Sequence, residues 1–490
     1  MKQSKKYKKY KKYKTKLHKG GEVIGHGGYG CVFNPSLRCE NASSRRDGIS
    51  KMLLNKEAVQ EWQQFNEVKN IISKIPNNDR YFLVNDTEIC QPDQLEESDK
   101  KNLNDCNNLT KNGIFDYNIN TLLQNVKIIN MPFGGQTIYD IFKNKSIDFS
   151  IINSTMIDLL LNGIIPMNKL GLNHFDIKDN NILFKDGNIR LIDWGLSGKT
   201  IKSAERLGLS YNLPFSTILF SKEFNDFYNY YLATNKTHNS FSQLQSLMLQ
   251  YYHIRSIETY GHVMDIYQLY LPQIFKLSEY QNIKYKVDSF NNIVSHIITS
   301  YCAKILIKYT DFKNKIFNKE IYLREVFSKN ADIHGFIICY ITLAFGNYFE
   351  DNIYKINIAN IIIKYCFSNN YADKPIDIDE LVKDLTNITN NSYSQRLKTE
   401  LLLPTKKTSI RKTRRTRTRK TRTRTRKTKT KTKTKTKKTK KTKKTKKTKK
   451  TRKTRKTSSK KTSSKKTSSK KTSSKKLKLE HKNEITDRFI

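Results

Sequence analysis

The chain has 490 residues, with 92 Lys+Arg against 44 Asp+Glu and a formal net charge of +48. The charge is segregated: residues 406–478 hold 40 Lys+Arg and no acid, residues 1–19 hold 10 Lys and no acid, and residues 20–405 carry 40 basic and 41 acidic residues. This excludes a uniformly basic, histone-like body, in which evenly spread charge would oppose a compact state, and it excludes a single fold running through the whole chain.

Residues 2–19 repeat Lys-Lys-Tyr, with Tyr7, Tyr10 and Tyr13 three apart. Such a segment has no core to bury and is expected to be a disordered basic arm over 1–19. The body over 20–400 is rich in Ile, Leu, Phe and Tyr and is long enough for one large domain or two ordinary ones. Glu22 to Ile24 and Cys31 to Phe33 read as two strands flanking a glycine cluster, and Ile49-Ser50-Lys51 as the next strand. Lys56 to Lys74 places Val59, Trp62, Phe65, Val68 and Ile72 at spacings of three and four, which predicts a helix. Tyr81 to Val84 and Val126 to Met131 read as strands, and the polar stretch Gln91 to Gly113 between them as a mobile loop.

From Thr137 the pattern turns helical. Residues 151–170 predict a buried helix, and residues 225–325 and 330–400 continue with helical periodicity. After Leu403-Pro404 the composition breaks into Lys/Arg-Thr repeats and four copies of Thr-Ser-Ser-Lys-Lys, so 405–490 is expected to be a low-complexity disordered tail. Strands first and helices second predict an α+β fold of two lobes, about 20–135 and about 136–400.

The seven cysteines, Cys31, Cys39, Cys90, Cys106, Cys302, Cys339 and Cys366, are scattered, odd in number and without a C-x-x-C pair. This predicts reduced thiols in an intracellular protein. The basic N-terminus has no apolar run behind it, so no secretory signal is expected. The longest apolar stretch, Gly335 to Gly346, is too short to cross a bilayer, and no transmembrane segment is expected.

Gly25-His26-Gly27-Gly28-Tyr29-Gly30-Cys31-Val32 fits G-x-G-x-x-G-x-V. Glycines let a hairpin lie close over a triphosphate so that backbone N–H groups reach its oxygens. A strand rather than a helix follows, which excludes the dinucleotide-binding version. Lys51 on the next strand can place its ammonium on phosphates if a carboxylate holds it. The helix offers Glu57, Glu61 and Glu67; Glu67 is the expected partner, with Glu61 in reserve. Each of these, taken alone, also fits a solvated helix face.

The richest stretch is His174-Phe175-Asp176-Ile177-Lys178-Asp179-Asn180-Asn181, followed by Ile192-Asp193-Trp194-Gly195. Phosphoryl transfer needs a nucleophile oriented, phosphate charge neutralised and Mg²⁺ held. Asp176 suits proton acceptance from a hydroxyl and Lys178 suits charge neutralisation. Asn181 and Asp193 are hard oxygen ligands suited to Mg²⁺.

Taken in order, these motifs resemble the eukaryotic-type protein kinases: glycine loop, strand Lys, helix Glu, H-x-D-x-K-x-x-N and D-x-G. The resemblance implies ATP and Mg²⁺ as cofactors. It further implies that Ile129 to Gly135, with Met131 and Phe133, forms a hinge bonding adenine, that Ile24 and Val32 cover the ring, and that Asp332-Ile-His-Gly335 opens a helix anchoring the catalytic loop. Asp332 fits a helix N-cap equally well. Lys178 two positions after Asp176 is the serine/threonine pattern, which implies a protein substrate with Ser/Thr acceptors. Abundant Asn, Ile, Lys and Tyr make the chain similar to serine/threonine kinases of giant DNA viruses, which implies a place in the host cytoplasm or nucleus, or in the virion.

The chain departs from the family in four places. Phe175 stands where the family has an Arg that docks a phosphorylated activation loop, and Trp194 stands for the Phe of D-F-G. Leu213-Pro214-Phe215-Ser216 is the nearest substitute for A-P-E, and residues 225–325 read as a helical insertion. Two alternatives to an active enzyme are a pseudokinase scaffold and a nucleic-acid-binding or packaging protein. The basic arms suit nonspecific binding of nucleic acid or another polyanion, with affinity falling steeply with salt, and Tyr7, Tyr10 and Tyr13 suit stacking on bases.

Overall fold

A computed structural model describes residues 21–26, 30–42, 47–199, 204–235, 240–257 and 290–389. Gly27, Gly28 and Tyr29 of the glycine loop, both basic arms and 258–289 of the expected insertion lie outside the described residues.

The described chain is mixed α+β. Five antiparallel strands, β1 (Glu22–His26), β2 (Cys31–Asn34), β3 (Ile49–Leu54), β4 (Glu88–Cys90) and β5 (Val126–Met131), form a sheet of order β1-β2-β3-β5-β4. Helix α1 (Asn55–Ile72) follows β3 directly and packs on β3 and β5. Val68 and Ile72 of α1 are buried in the main core. Ala58, with Trp62, packs on Leu53 and Ile129 of the sheet. The apolar stripe of α1 thus closes one face of the sheet.

The other face carries a second core, in which Val23, Cys31, Phe33, Met52 and Ile128 meet Leu95, Leu103, Cys106, Leu109 and Ile114. The expected mobile loop 91–113 is therefore a folded cover, with a short helix Asn107–Lys111 and its leucines turned inward. Its polar residues conceal an apolar set too irregularly spaced to show as a period. The expected strand at Tyr81 to Val84 is also corrected. Its backbone bonds Leu191, with Leu83 N donating to Leu191 O at 3.1 Å and Leu191 N to Tyr81 O at 2.9 Å, and Glu88–Cys90 takes the sheet edge instead.

The thiols are corrected as well. Cys31 pairs with Cys106 and Cys39 with Cys90, leaving Cys302, Cys339 and Cys366 as buried free thiols. The pairs are 75 and 51 residues apart: the folding of the cover onto the sheet brings Cys106 to Cys31, and the edge strand β4 brings Cys90 to the segment after β2.

Beyond β5, a three-stranded sheet joins β6 (Gln136–Thr137), β8 (Ile182–Lys185) and β9 (Asn188–Leu191), and β7 (Leu172–Asn173) pairs with β10 (Gly198–Lys199). The rest is helical. Helix α2 (Phe149–Lys169) has one π-turn, Leu160–Ile164, just before Pro166, whose missing N–H interrupts the α ladder. It is the one described helix long and apolar enough to cross a membrane. Here it lies in the main core through Ile152, Met156, Leu159, Leu160, Ile164 and Met167. Its Asn153 donates to Leu385 O at 3.0 Å and accepts from Tyr340 Oη at 2.9 Å.

Helices α3 (Lys222–Thr234), α4 (Phe241–Ile254) and α5 (Phe290–Tyr309) span the described part of the expected insertion and join the same core through Phe224, Tyr228, Leu244, Tyr252, Cys302 and Leu306. Helix α6 (Ser328–Ile338) is buried from Asn330 to its end, and α7 (Ile378–Thr386) closes the described chain.

Candidate active site

Register places Lys51 mid-sheet, opposite Val32 on β2 and Ile129 on β5. Strand alternation sends Ser50 and Met52 to the covered face and Lys51 with Leu53 toward α1. There Lys51 Nζ lies 2.7 and 2.8 Å from the two carboxylate oxygens of Glu61, with side chains 19% and 27% exposed. The partner is Glu61, and the expected Glu67 is corrected: it is exposed. Glu61 lies seven residues before buried Val68, hence on the inward face of α1 at about 100° per residue, whereas Glu67 turns away.

The segment 173–181 hangs from Asp332. This carboxylate is buried in the middle of α6, so it is not a helix N-cap. Its Oδ2 accepts from His174 N at 2.9 Å, Asn168 Nδ2 at 2.6 Å and Asn173 Nδ2 at 3.1 Å, and its Oδ1 accepts from Phe175 N at 2.8 Å. These bonds support Phe175 at φ 62°, a costly conformation for a bulky residue. The Phe175 ring is buried and stacks on Phe327. Gly335, one turn after Asp332, is required by close approach: a Cβ there would lie 2.6 Å from Ile177 O.

Three donors orient Asp176. Asn181 Nδ2 donates to its Oδ2 at 2.9 Å, Lys178 Nζ lies 3.0 Å from the same oxygen, and Asn212 Nδ2 donates to Oδ1 at 3.0 Å. Asp176 keeps 16% of its side chain exposed, enough for a small group to reach it. Asn212, itself buried, also donates to Ile177 O at 3.2 Å and accepts from Ser210 Oγ. It immediately precedes Leu213-Pro214, and no sequence signal marked it.

Asp193 follows β9 at φ 66°. Ile192 brings it beside Asn181, through Ile192 N to Asn181 O at 3.0 Å and Ile192 O to His174 Nε2 at 3.0 Å. Surrounding protein atoms oppose its charge, but the ammonium groups of Lys51 and Lys178, with His174, outweigh them and hold its carboxyl below the usual range. Asp193 is open to solvent on one side, so it is an accessible anion beside two cations. The Asn181 amide nitrogen is committed to Asp176, which leaves the amide oxygen as a hard ligand near that carboxylate. Burial pushes the neighbouring Asp179 carboxyl up, against a 2.8 Å hydrogen bond from Thr342, so Asp179 belongs to the scaffold. Trp194 is buried between the rings of His174, 4.7 Å away, and Phe82, 5.8 Å away.

The remaining expected residues scatter around this cluster. Ile24 is exposed, Gly25 and Val32 pair in register, and His26 pairs with Cys31. Cys31, grouped with the nucleotide-binding residues in the sequence, faces the opposite side of the sheet, in its disulfide within the second core. Gly30 backs onto β3, where a Cβ would lie 2.4 Å from Met52 O. Met131 ends β5, half-buried, and Phe133 is exposed with its carbonyl accepting from Lys185 Nζ at 3.2 Å.

Lys51, Lys178, Asp176, Asn181 and Asp193 thus lie on adjoining segments, while Glu67 and the Cys31 side chain stand apart. The cluster offers a positioned proton acceptor, two cations for an anionic group, and two hard oxygens for a divalent cation. No protein-family model and no curated protein matches the chain.

Proposed function

We propose that the chain is an ATP-dependent protein kinase that transfers the γ-phosphate of ATP to Ser or Thr hydroxyls, and that its sheet-bearing and helical parts are the two lobes of a protein-kinase-like fold. The observation that carries this reading is the joint placement of Lys51 with Glu61, and of Asp176 with Asn181, Lys178 and Asn212. A structural salt bridge would account for the first and a polar turn for the second. Neither accounts for both together with an ionised, solvent-accessible Asp193 beside the two lysines.

In this reading Lys51, steadied by Glu61, grips the phosphates of ATP. Asp176 accepts the proton of the acceptor hydroxyl as its oxygen bonds the γ-phosphorus and the bond to the ADP oxygen breaks. Lys178 stands beside Asp176 to offset charge gathering on the transferred group. Asn181 and Asp193 fit Mg²⁺, being hard oxygen donors on adjoining segments with Asp193 kept ionised. When bound, Mg²⁺ would neutralise phosphate charge. Three oriented donors on Asp176 favour an active enzyme over a pseudokinase scaffold. The acid-free run of 40 cations over 406–478 supports polyanion binding by the tail, beside the reaction and separate from it.

The test is phosphate transfer from γ-labelled ATP to a generic basic protein, with Asp176→Asn as control. Transfer by the wild type alone supports the reading. Equal, background transfer by both removes it.

A further inference from the structure

Helix α1 reaches the site twice. Glu61 holds Lys51, and one turn later Gln64 reaches the segment that follows Asp193. The Gln64 Nε2 donates to Trp194 O at 2.7 Å, Ser197 O at 2.9 Å and Gly195 O at 3.2 Å, with Ser197 Oγ at 3.3 Å. An amide nitrogen has two N–H groups, so these four oxygens share them. The segment is already folded on itself: Ser197 N and Ser197 Oγ donate to Trp194 O at 3.0 and 2.7 Å. Its carbonyls converge on one side chain of α1. Glu61 and Gln64 are neighbours on the helix surface at i and i+3.

We infer that Gln64 is a positioning residue that locks the Asp193–Ser197 turn to the helix carrying Glu61, so that Lys51 and Asp193 are placed by one rigid element. Helix α1 cannot move outward without breaking the Lys51–Glu61 pair and the Gln64 bonds together. Asp193 opens this turn at a positive φ, a conformation that persists only where its surroundings fix it. Gln64 supplies that fixation from within the chain, without a covalent modification. Glutamine suits the task because it presents only donors from its nitrogen to a cluster of oxygens. Methionine matches its length and offers none. Glutamate would set carboxylate oxygens against carbonyl oxygens.

The inference rests on the kinase reading for its catalytic consequence, but not for its structural one, and two measurements on the full chain separate them. The first is hydrogen–deuterium exchange of peptides covering 194–199 in wild type, Gln64→Met and Gln64→Glu. Faster exchange there in both variants, with 182–191 unchanged, is expected. Exchange at the wild-type rate in both overturns the inference, whatever the enzyme does. The second is kinetic: loss of about one hydrogen bond to an ordered segment corresponds to about a tenfold effect. The expected result is an ATP KM or a half-saturating Mg²⁺ concentration raised about tenfold, with the KM for the protein acceptor unchanged. Equal rises in both KM values would indicate general loosening and overturn the positioning role. Should Gln64→Met fail to fold, Gln64→Asn keeps the donors but shortens their reach by one methylene, and the same shifts are expected of it. If wild type and Asp176→Asn transfer equally little phosphate, the kinase reading fails, and the exchange result alone decides on Gln64.

Discussion

Asp332, buried in the middle of helix α6, accepts the backbone N–H groups of both His174 and Phe175 through its two carboxylate oxygens. One carboxylate thus suspends the loop that carries Asp176 from the core of the helical part. Asn168 and Asn173 complete its coordination, so the buried side chain is hydrogen-bonded on both oxygens.

Replacing Asp332 by Asn should therefore be costly. One acceptor oxygen becomes a donor facing N–H groups, and buried donors lose their partner. The expected loss is about 3 kcal/mol of unfolding free energy, the scale of leaving one or two buried polar groups unsatisfied. Urea denaturation measures it. A loss under about 1 kcal/mol would mean the loop is held by other contacts.

The Lys51–Glu61 pair makes a prediction that discriminates between two carboxylates on one helix. Glu61→Gln should weaken use of ATP, lowering kcat/KM for ATP by about tenfold or more, the scale of one charge-assisted hydrogen bond. Glu67→Gln, on the exposed face, should leave it unchanged. Steady-state kinetics with varied ATP measure both. A larger effect at Glu67 would contradict the observed pairing.

Comparison of these residues shows what the sequence made readable. Asp176, Lys178, Asn181 and Asp193 were legible because their spacing is local and each chemistry needs its own residue type. Lys51 was legible from its distance to the glycine cluster. The helix partner was harder. What separates Glu61 from Glu67 is the inward face of α1, and the apolar residues Val59, Phe65 and Val68 spread over too wide an arc to define it. Counting back seven from Val68 would have favoured Glu61. Gln64 and Asn212 carried no signal, since an amide acting on backbone carbonyls or on a catalytic carboxylate leaves no motif. The cover over 91–113 reads as a loop because its leucines lack a period, and the disulfides leave no local signal because pairing across 75 and 51 residues is a property of the fold.

The thiol pattern gives a chemical check on the sheet-bearing part. Mass mapping without reductant should recover Cys31 joined to Cys106 and Cys39 joined to Cys90, with Cys302, Cys339 and Cys366 free and alkylated only after unfolding. Any crosslink involving the last three would contradict the burial of those thiols in the helical core.

His334 gives a pH dependence. It is buried in α6, its Nε2 has no hydrogen-bond partner among the described residues, and burial pushes its pKa down to about 3, against a backbone hydrogen bond at Tyr211. A free histidine titrates near about 6.5, so between these values the unfolded chain binds the extra proton. The stabilising contribution of neutral His334 is whole above the unfolded value and is lost as pH falls toward the folded one. The expected slope is up to about 1.4 kcal/mol per pH unit below about pH 6.5. Urea titrations of wild type and His334→Gln at pH 7 and pH 5 measure it. The wild type should lose more stability than the variant over that interval, and equal losses would contradict a neutral buried imidazole.

The most direct measurement is transfer of labelled γ-phosphate from ATP to Ser and Thr of a basic acceptor protein by the full chain with Mg²⁺. Wild type should label the acceptor on Ser or Thr, and Asp176→Asn, with an unchanged fold, should fall by at least about 100-fold, the scale of losing a general base. Equal labelling by the two proteins, at background or above it, would contradict the assignment of Asp176 and with it the kinase reading.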